Sequence, residues 1–110
     1  MSEEFGIGPD ELRGLIGGIL IIVDIRDEDN VDAQGRIKDA FEIEEYDLPN
    51  HVSAVPMYFR TANCVIICET GEVARKWVET YRSQDDDVQL LRYYIGGSAA
   101  LFEEVPELVS

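Results

Sequence analysis

Basic residues are scarce in this chain of 110 residues. Nine lysines and arginines stand against 23 aspartates and glutamates, so the formal net charge at neutral pH is −14. A net charge of this sign repels nucleic acid and anionic lipid surfaces through its long-range field, which disfavours both as partners. The excess of carboxylates has three interpretations: adaptation to high salt, docking of a basic protein partner, or a surface that is acidic only for solubility.

Long apolar runs are also missing. The longest such run, from Ile16 to Val23, contains two glycines and is too short to span a bilayer. The first five residues lack the basic start and apolar stretch of a secretory signal, so we predict a soluble, cytoplasmic protein. A length of 110 residues suits one core and not two, which predicts a single domain over residues 1–110.

Cysteine and histidine are few. Cys64 and Cys68 fall in one apolar segment, where an extended strand would separate them by about 13 Å, beyond the reach of a disulfide. Two free thiols are typical of a reducing compartment. Neither cysteine has a metal-ligand spacing, and His51 stands alone, so we predict no metal and no cofactor. The acidic runs 27–29 and 85–87 favour solvated turns over cation sites.

The apolar pattern alternates between strands and helices. The continuous β-branched run Ile19–Ile25 predicts a strand that is covered on both faces, which is typical of a parallel sheet between helices. Further strands are predicted at 36–43, 64–68 and 88–95, and helices from Pro9, within 27–35, at 72–82 and at 98–104, with loop and short helix between 44 and 63. The pattern indicates an α/β sandwich.

The helix predicted at 72–82 has one apolar stripe. Val73, Trp77 and Tyr81 recur at four-residue spacing, which predicts that these three side chains form its core-facing side. We therefore interpret the stripe as packing and assign it no ligand.

Cys68 is the main candidate for a chemically reactive residue. It ends a buried strand, and in parallel sheets sites form outside the carboxyl ends of the strands. Gly71 lets the following loop curl, and the helix that begins near Glu72 offers unpaired N–H groups to a thiolate. Two features oppose this chemistry: Glu69 and Glu72 place negative charge beside the thiol, and the first cation, Arg75, comes seven positions later.

Four segments resemble, in order and spacing, the signature blocks of the rhodanese family in its single-domain form. They are Val23-Asp24-Ile25-Arg26, Gly35-Arg36-Ile37-Lys38-Asp39-Ala40-Phe41-Glu42-Ile43, Val65-Ile66-Ile67-Cys68-Glu69-Thr70-Gly71 and Tyr94-Ile95-Gly96-Gly97-Ser98-Ala99-Ala100-Leu101-Phe102. The resemblance extends over about residues 19–102. It departs from the family at Arg36, where histidine is common, and at Phe102, where tryptophan is common.

The resemblance implies a three-layer sandwich with a central parallel sheet of five strands flanked by helices. It also implies a catalytic cysteine that takes sulfane sulfur from a small donor as a persulfide and passes it to a thiol or protein acceptor. By position, Cys68 matches that cysteine, and the rest of its substrate-binding loop is Glu69, Thr70, Gly71, Glu72 and Val73. Asp24 and Arg26 match a pair that we interpret as structural. The acidic loop predicts poor use of the dianion thiosulfate.

Three functions fit these residues. The first is a sulfurtransferase that uses Cys68, the second a catalytically silent rhodanese-like module that binds a protein through its acidic surface, and the third a redox-sensing thiol. Glu69 and Glu72 disfavour the third because a sensor thiol must ionise readily. A cysteine phosphatase shares the loop design but needs an arginine six positions after the cysteine, and that position holds Ala74. We therefore set the phosphatase aside.

Overall fold

Five parallel strands form the centre of the described structure. The computed structural model describes residues 4–54, 62–84 and 90–110. The strands, in chain order, are β1 Gly6–Ile7, β2 Leu20–Asp24, β3 Phe41–Glu42, β4 Asn63–Ile67 and β5 Leu91–Tyr94. They lie in the order β1-β5-β4-β2-β3, and every neighbouring pair is parallel. The central positions of β4 and β2 explain their continuous apolar sequences, since both faces of each strand are covered.

The helices follow the strands. They are α1 Pro9–Leu15, α2 Glu28–Gln34, α3 Leu48–Ala54, α4 Glu72–Gln84 and α5 Gly97–Glu104, with 3-10 turns at Glu45–Asp47 and Pro106–Leu108. Pro9 opens α1, and Asp27 caps α2 by accepting a hydrogen bond from the Asn30 N–H at 2.8 Å. None of the helices in these ranges is long and apolar enough to cross a membrane.

Buried side chains form one core on each face of the sheet. On one face, Leu48 of α3 and Ala74 and Val78 of α4 pack against inward residues of the strands. On the other, Leu12 of α1 and Leu101 of α5 do the same. Each of these leucine and valine side chains stabilises the fold by about 1.5–3 kcal/mol when it leaves water. The predicted three-layer α/β sandwich is thereby confirmed.

The predicted strand over residues 36–43 is much shorter in the structure. Only Phe41–Glu42 pairs with β2, while Ile37 forms an isolated bridge with Val109. Asp39 adopts a positive φ of 60°, so the chain turns between these two contacts and cannot continue as one strand. Among the described residues of the third long strand predicted at 88–95, Leu91–Tyr94 form β5; residues 85–89, with the acidic run 85–87, lie outside the described ranges.

The predicted core stripe of α4 is wrong in detail. The buried residues are Ala74 and Val78, whereas Val73 is 37% exposed and Trp77 and Tyr81 are only partly buried. The small side chains of Ala74 and Val78 let the helix approach the sheet closely, and the two aromatic rings stack beside that contact with centroids 5.6 Å apart. Val73 is thereby left at the surface beside the loop that follows β4.

Candidate functional site

Cys68 lies directly after β4, at the carboxyl edge of the sheet. The last residue of β4, Ile67, is in register with Asp24 at the end of β2, so the two central strands end side by side. Residues 68–71 form a short loop, and α4 begins at Glu72. Cys68 is only 5% exposed. This is the strand–loop–helix geometry that the sequence predicts around this cysteine.

Two backbone amides donate hydrogen bonds to the Cys68 sulfur. The N–H of Gly71 lies 3.0 Å from Sγ, and the N–H of Ala74 lies 3.3 Å from it. Ala74 is in the first turn of α4, where N–H groups have no partner within the helix and the helix dipole is positive. Both contacts favour negative charge on the sulfur. The sequence predicts that loop amides face Cys68 but does not identify Ala74 as a donor.

Two glycines allow this loop to fold against the start of α5. Gly71 has a φ of 93°, and a β-carbon there would lie 3.0 Å from the Gly96 nitrogen. Gly97 has a φ of 69°, and a β-carbon there would lie 2.5 Å from the Cys68 carbonyl oxygen. The Ser98 N–H donates to that same oxygen at 2.8 Å. The start of α5 therefore fixes the backbone of Cys68, a role that sequence reasoning missed for Gly97 and Ser98.

Asp24 and Arg26 form a fully buried ion pair next to this loop. Arg26 Nη2 lies 2.7 Å from Asp24 Oδ2, and both side chains are completely buried. The same guanidinium donates to the Gly35 carbonyl at 2.9 Å and lies over the Phe102 ring, 5.4 Å from its centroid. These contacts join the end of β2 to α2 and α5. Phe102 supplies an aromatic face to the guanidinium.

Gln34, in the last turn of α2, links this pair to the Cys68 loop. Its Nε2 donates to Glu69 Oε1 at 3.3 Å, while its Oε1 accepts from Arg26 Nη1 at 3.4 Å and from Ser98 Oγ at 3.3 Å. One amide therefore connects three separate segments at the site. Sequence reasoning missed Gln34 because a glutamine in an exposed, polar helix carries no signal of its tertiary partners.

A cleft of about 360 Å³ opens beside Cys68. Its lining comes from the ends of β2 and β4, from α2 and α4 and from the 3-10 turn after β3, and consists of Ile25, Arg26, Asp27, Asn30, Glu44, Glu45, Tyr46, Cys68, Glu69 and Val73. The predicted substrate-binding loop divides here: Cys68, Glu69 and Val73 line this cleft. Thr70, Gly71 and Glu72 line a second cavity of about 250 Å³ together with Arg75.

Carboxylates dominate the charge of the cleft. Asp27, Glu44, Glu45 and Glu69 line it. The single cation, Arg26, is neutralised by Asp24. Beside these acids Tyr46 is 79% exposed, and the negative charge of Glu44 raises the pKa of its phenol. Sequence reasoning found only Glu69 in this set, since the others come from segments that are distant along the chain.

The other predicted residues lie away from this cleft. Cys64, near the start of β4, is fully buried, and burial raises the pKa of its thiol to about 12. Both cysteines are free thiols. His51 is exposed on α3. Across residues 4–54, 62–84 and 90–110, no three His, Cys, Asp or Glu side chains are grouped closely enough to hold a metal ion.

The sequence matches no protein-family model and no curated protein, but solved structures resemble this fold. The human single-domain sulfurtransferase TSTD1 aligns with a TM-score of 0.72 and 21% identity, over 90% of this chain and 96% of that one. A rhodanese-like domain protein from Staphylococcus aureus aligns with a TM-score of 0.64 and 25% identity, over 86% of this chain and 88% of that one.

A third match is to part of a much longer protein. Reduced CoADR-RHD from Bacillus anthracis aligns with a TM-score of 0.66 and 22% identity over 94% of this chain, which spans only 17% of that protein. Similarity at these levels of identity shows the fold. Together with the five-stranded parallel sheet and the helices on both of its faces, these matches show that the chain has a rhodanese-like α/β fold.

Proposed function

We propose that this chain is a sulfurtransferase that carries sulfane sulfur as a persulfide on Cys68. The observation that supports this most is the pair of hydrogen bonds from the Gly71 and Ala74 amides to Sγ, at 3.0 and 3.3 Å. Donors in these positions stabilise a thiolate before attack and an anionic persulfide after it, without any side-chain cation. The adjoining cleft gives a donor or acceptor access to the sulfur.

Two exchange steps would complete the reaction. The Cys68 thiolate attacks the outer sulfur of a donor persulfide, the donor's S–S bond breaks, and the donor leaves as a thiolate while a new S–S bond forms at Sγ. An acceptor thiolate then attacks that outer sulfur, which releases Cys68 as a thiolate and forms the acceptor persulfide. The two steps are balanced without an oxidant, a metal or a cofactor.

The fold neighbours support the same class of chemistry. TSTD1 is described as a single-domain sulfurtransferase, and the present chain covers 96% of its length. We propose accordingly that residues 1–110 act as one domain. Thiosulfate would be a poor donor because it is a dianion and the cleft beside Cys68 is lined by four carboxylates that have no cation among their described hydrogen-bond partners.

A phosphatase function is disfavoured by the same loop. In that chemistry an arginine six positions after the cysteine clamps the phosphate. Ala74 occupies the position here and is fully buried, and its amide is already directed at Sγ. The cleft beside Cys68 offers a phosphate dianion only Arg26, which is engaged with Asp24.

The proposal is tested by exposing the purified protein to glutathione persulfide and mapping added sulfur by mass spectrometry. We expect one added sulfur atom on Cys68 in the wild type and in Cys64→Ala, and none in Cys68→Ser. Subsequent addition of a thiol acceptor should remove it. Absence of the adduct from Cys68 under these conditions would refute the sulfurtransferase and favour the catalytically silent, protein-binding module.

A further inference from the structure

The carboxylates that line the Cys68 cleft have no cationic partner among the described residues. Asp27 is bound by the Asn30 amide, Glu45 by the Trp77 indole N–H at 2.8 Å, and Glu69 by the Gln34 amide. All of these donors are neutral. Neither these three acids nor Glu44 forms an ion pair with any residue in the described ranges.

Five acids outside the cleft are paired with arginines. Glu107 lies 2.7 Å from Arg13, whose hydrogen bond lowers the pKa of that carboxyl to about 2. Asp32 and Glu42 pair with Arg36, Glu79 with Arg75, and Glu11 with Arg92. None of these arginines lines the cleft, and the one arginine that does, Arg26, is paired with Asp24, so the four carboxylates beside Cys68 keep their negative charge.

The cleft is small enough for these charges to act together. A volume of about 360 Å³ corresponds to a sphere roughly 9 Å across, which is close to the distance over which physiological salt screens a charge. A group that enters the cleft thus experiences several carboxylates at once. The buried Asp24–Arg26 pair adds no net charge to that field.

An apolar rim accompanies the charge. Tyr46 and Val73 line the same cleft and are 79% and 37% exposed, respectively. Exposed tyrosine side chains are enriched at surfaces that bind a peptide or protein. A small cation alone would leave this rim uncovered, whereas a peptide segment covers both the acids and the rim.

From these features we infer that the thiol that exchanges sulfur with Cys68 lies in a peptide segment whose cysteine is flanked by lysine or arginine. The inference rests on the proposed sulfur transfer and names its partner class. Flanking cations would pair with Asp27, Glu44, Glu45 and Glu69, while the backbone of the segment would pack on Tyr46 and Val73. The same field would slow the approach of anionic thiols.

The charge selection can be tested without sulfur transfer. Three methanethiosulfonate reagents, cationic, neutral and anionic, are reacted with the native protein, and each rate at Cys68 is divided by that reagent's rate with a free small thiol. We expect the cationic reagent to be favoured over the anionic one by at least about tenfold at low salt, and the preference to collapse near 1 M salt.

Matched variants assign the preference to the cleft. The triple variant Glu44→Gln, Glu45→Gln, Glu69→Gln keeps oxygen acceptors for Trp77 and Gln34 and should lose most of the preference. The control, Glu11→Gln, Glu79→Gln, Glu103→Gln, makes the same change of net charge at exposed sites outside the cleft and should retain it. Equal ratios in the two variants would overturn the inference.

A transfer assay then separates the two proposals. Persulfide on Cys68 is offered to cysteamine and to three peptides whose cysteine is flanked by lysines, alanines or glutamates. We expect the lysine peptide to react fastest, ahead of cysteamine, and the glutamate peptide to react slowest, about tenfold or more behind. Transfer without this order refutes the basic partner but preserves the sulfurtransferase. Transfer to none of the four acceptors refutes the proposed function. Equal transfer rates to cysteamine and to the lysine peptide would show that a positive charge is sufficient and would refute the inference of a peptide partner.

Discussion

The two cysteines occupy opposite ends of the same central strand and have opposite surroundings. Cys64, near the start of β4, is enclosed by apolar side chains, and burial raises the pKa of its thiol to about 12. Cys68, just after the end of β4, is almost equally buried but accepts hydrogen bonds from two amides and lines a cleft. The two thiols therefore differ in the donors placed around them and in their access to a cleft, two features that affect the reactivity of a buried thiol.

The same contrast extends along the two edges of the sheet. At the carboxyl edge lie the buried Asp24–Arg26 pair, the loop amides and the tight contact with Gly97. At the amino edge, Gly17 precedes β2 with no atom near the place of a β-carbon. The Cys68 loop is thus more constrained than the turn at Gly17, which is typical of a site whose geometry must be held in place.

The largest effect should come from breaking the buried pair. Arg26→Met leaves Asp24 buried without a countercharge and should lower the free energy of unfolding by about 3–5 kcal/mol. Denaturant unfolding measures this loss. The double variant Asp24→Leu, Arg26→Met should recover much of it, and Arg13→Met, which breaks a half-exposed pair, should change far less. Equal losses of unfolding free energy in Arg26→Met and Arg13→Met would contradict the claim that the buried pair constrains the carboxyl edge of the sheet.

A smaller effect is expected from the glycines at the two edges. Gly97→Ala and Gly17→Ala both impose a positive φ on a residue with a β-carbon, but only at Gly97 does that carbon meet the carbonyls of Cys68 and Glu69. The alanine at position 97 should therefore cost about 1–3 kcal/mol more than that at position 17. Equal costs by denaturant unfolding would show that α5 does not hold the Cys68 loop.

Much of this architecture could be predicted because the relevant signals are local. The β-branched run of β2 and the apolar run of β4 define the central strands, and Gly71 marks the loop before α4. The resemblance to the rhodanese family added the number of strands and the match of Cys68 to a persulfide cysteine. These features need only neighbours along the chain.

The remaining parts of the site depend on contacts between distant segments. The cleft combines Asp27, Glu44, Glu45 and Glu69, which come together only when β2, β3 and β4 pair. Ala74 is selected as a donor by helix phase, the same factor that made the predicted stripe of α4 wrong. A periodic pattern gives the repeat of a helix but does not determine which of two adjacent stripes meets the sheet.

The most direct test of the account compares the reaction of the two thiols with iodoacetamide in the native protein, followed by mass spectrometry of each cysteine. With a pKa of about 12, Cys64 has only about one molecule in 10⁴ ionised at pH 8, and its rate should still rise about tenfold per pH unit up to pH 10. Cys68 should react at least about 100-fold faster at pH 8 because amides favour its thiolate and a cleft admits the reagent. Equal rates at the two cysteines, or faster reaction at Cys64, would contradict the claim that Cys68 is the activated thiol.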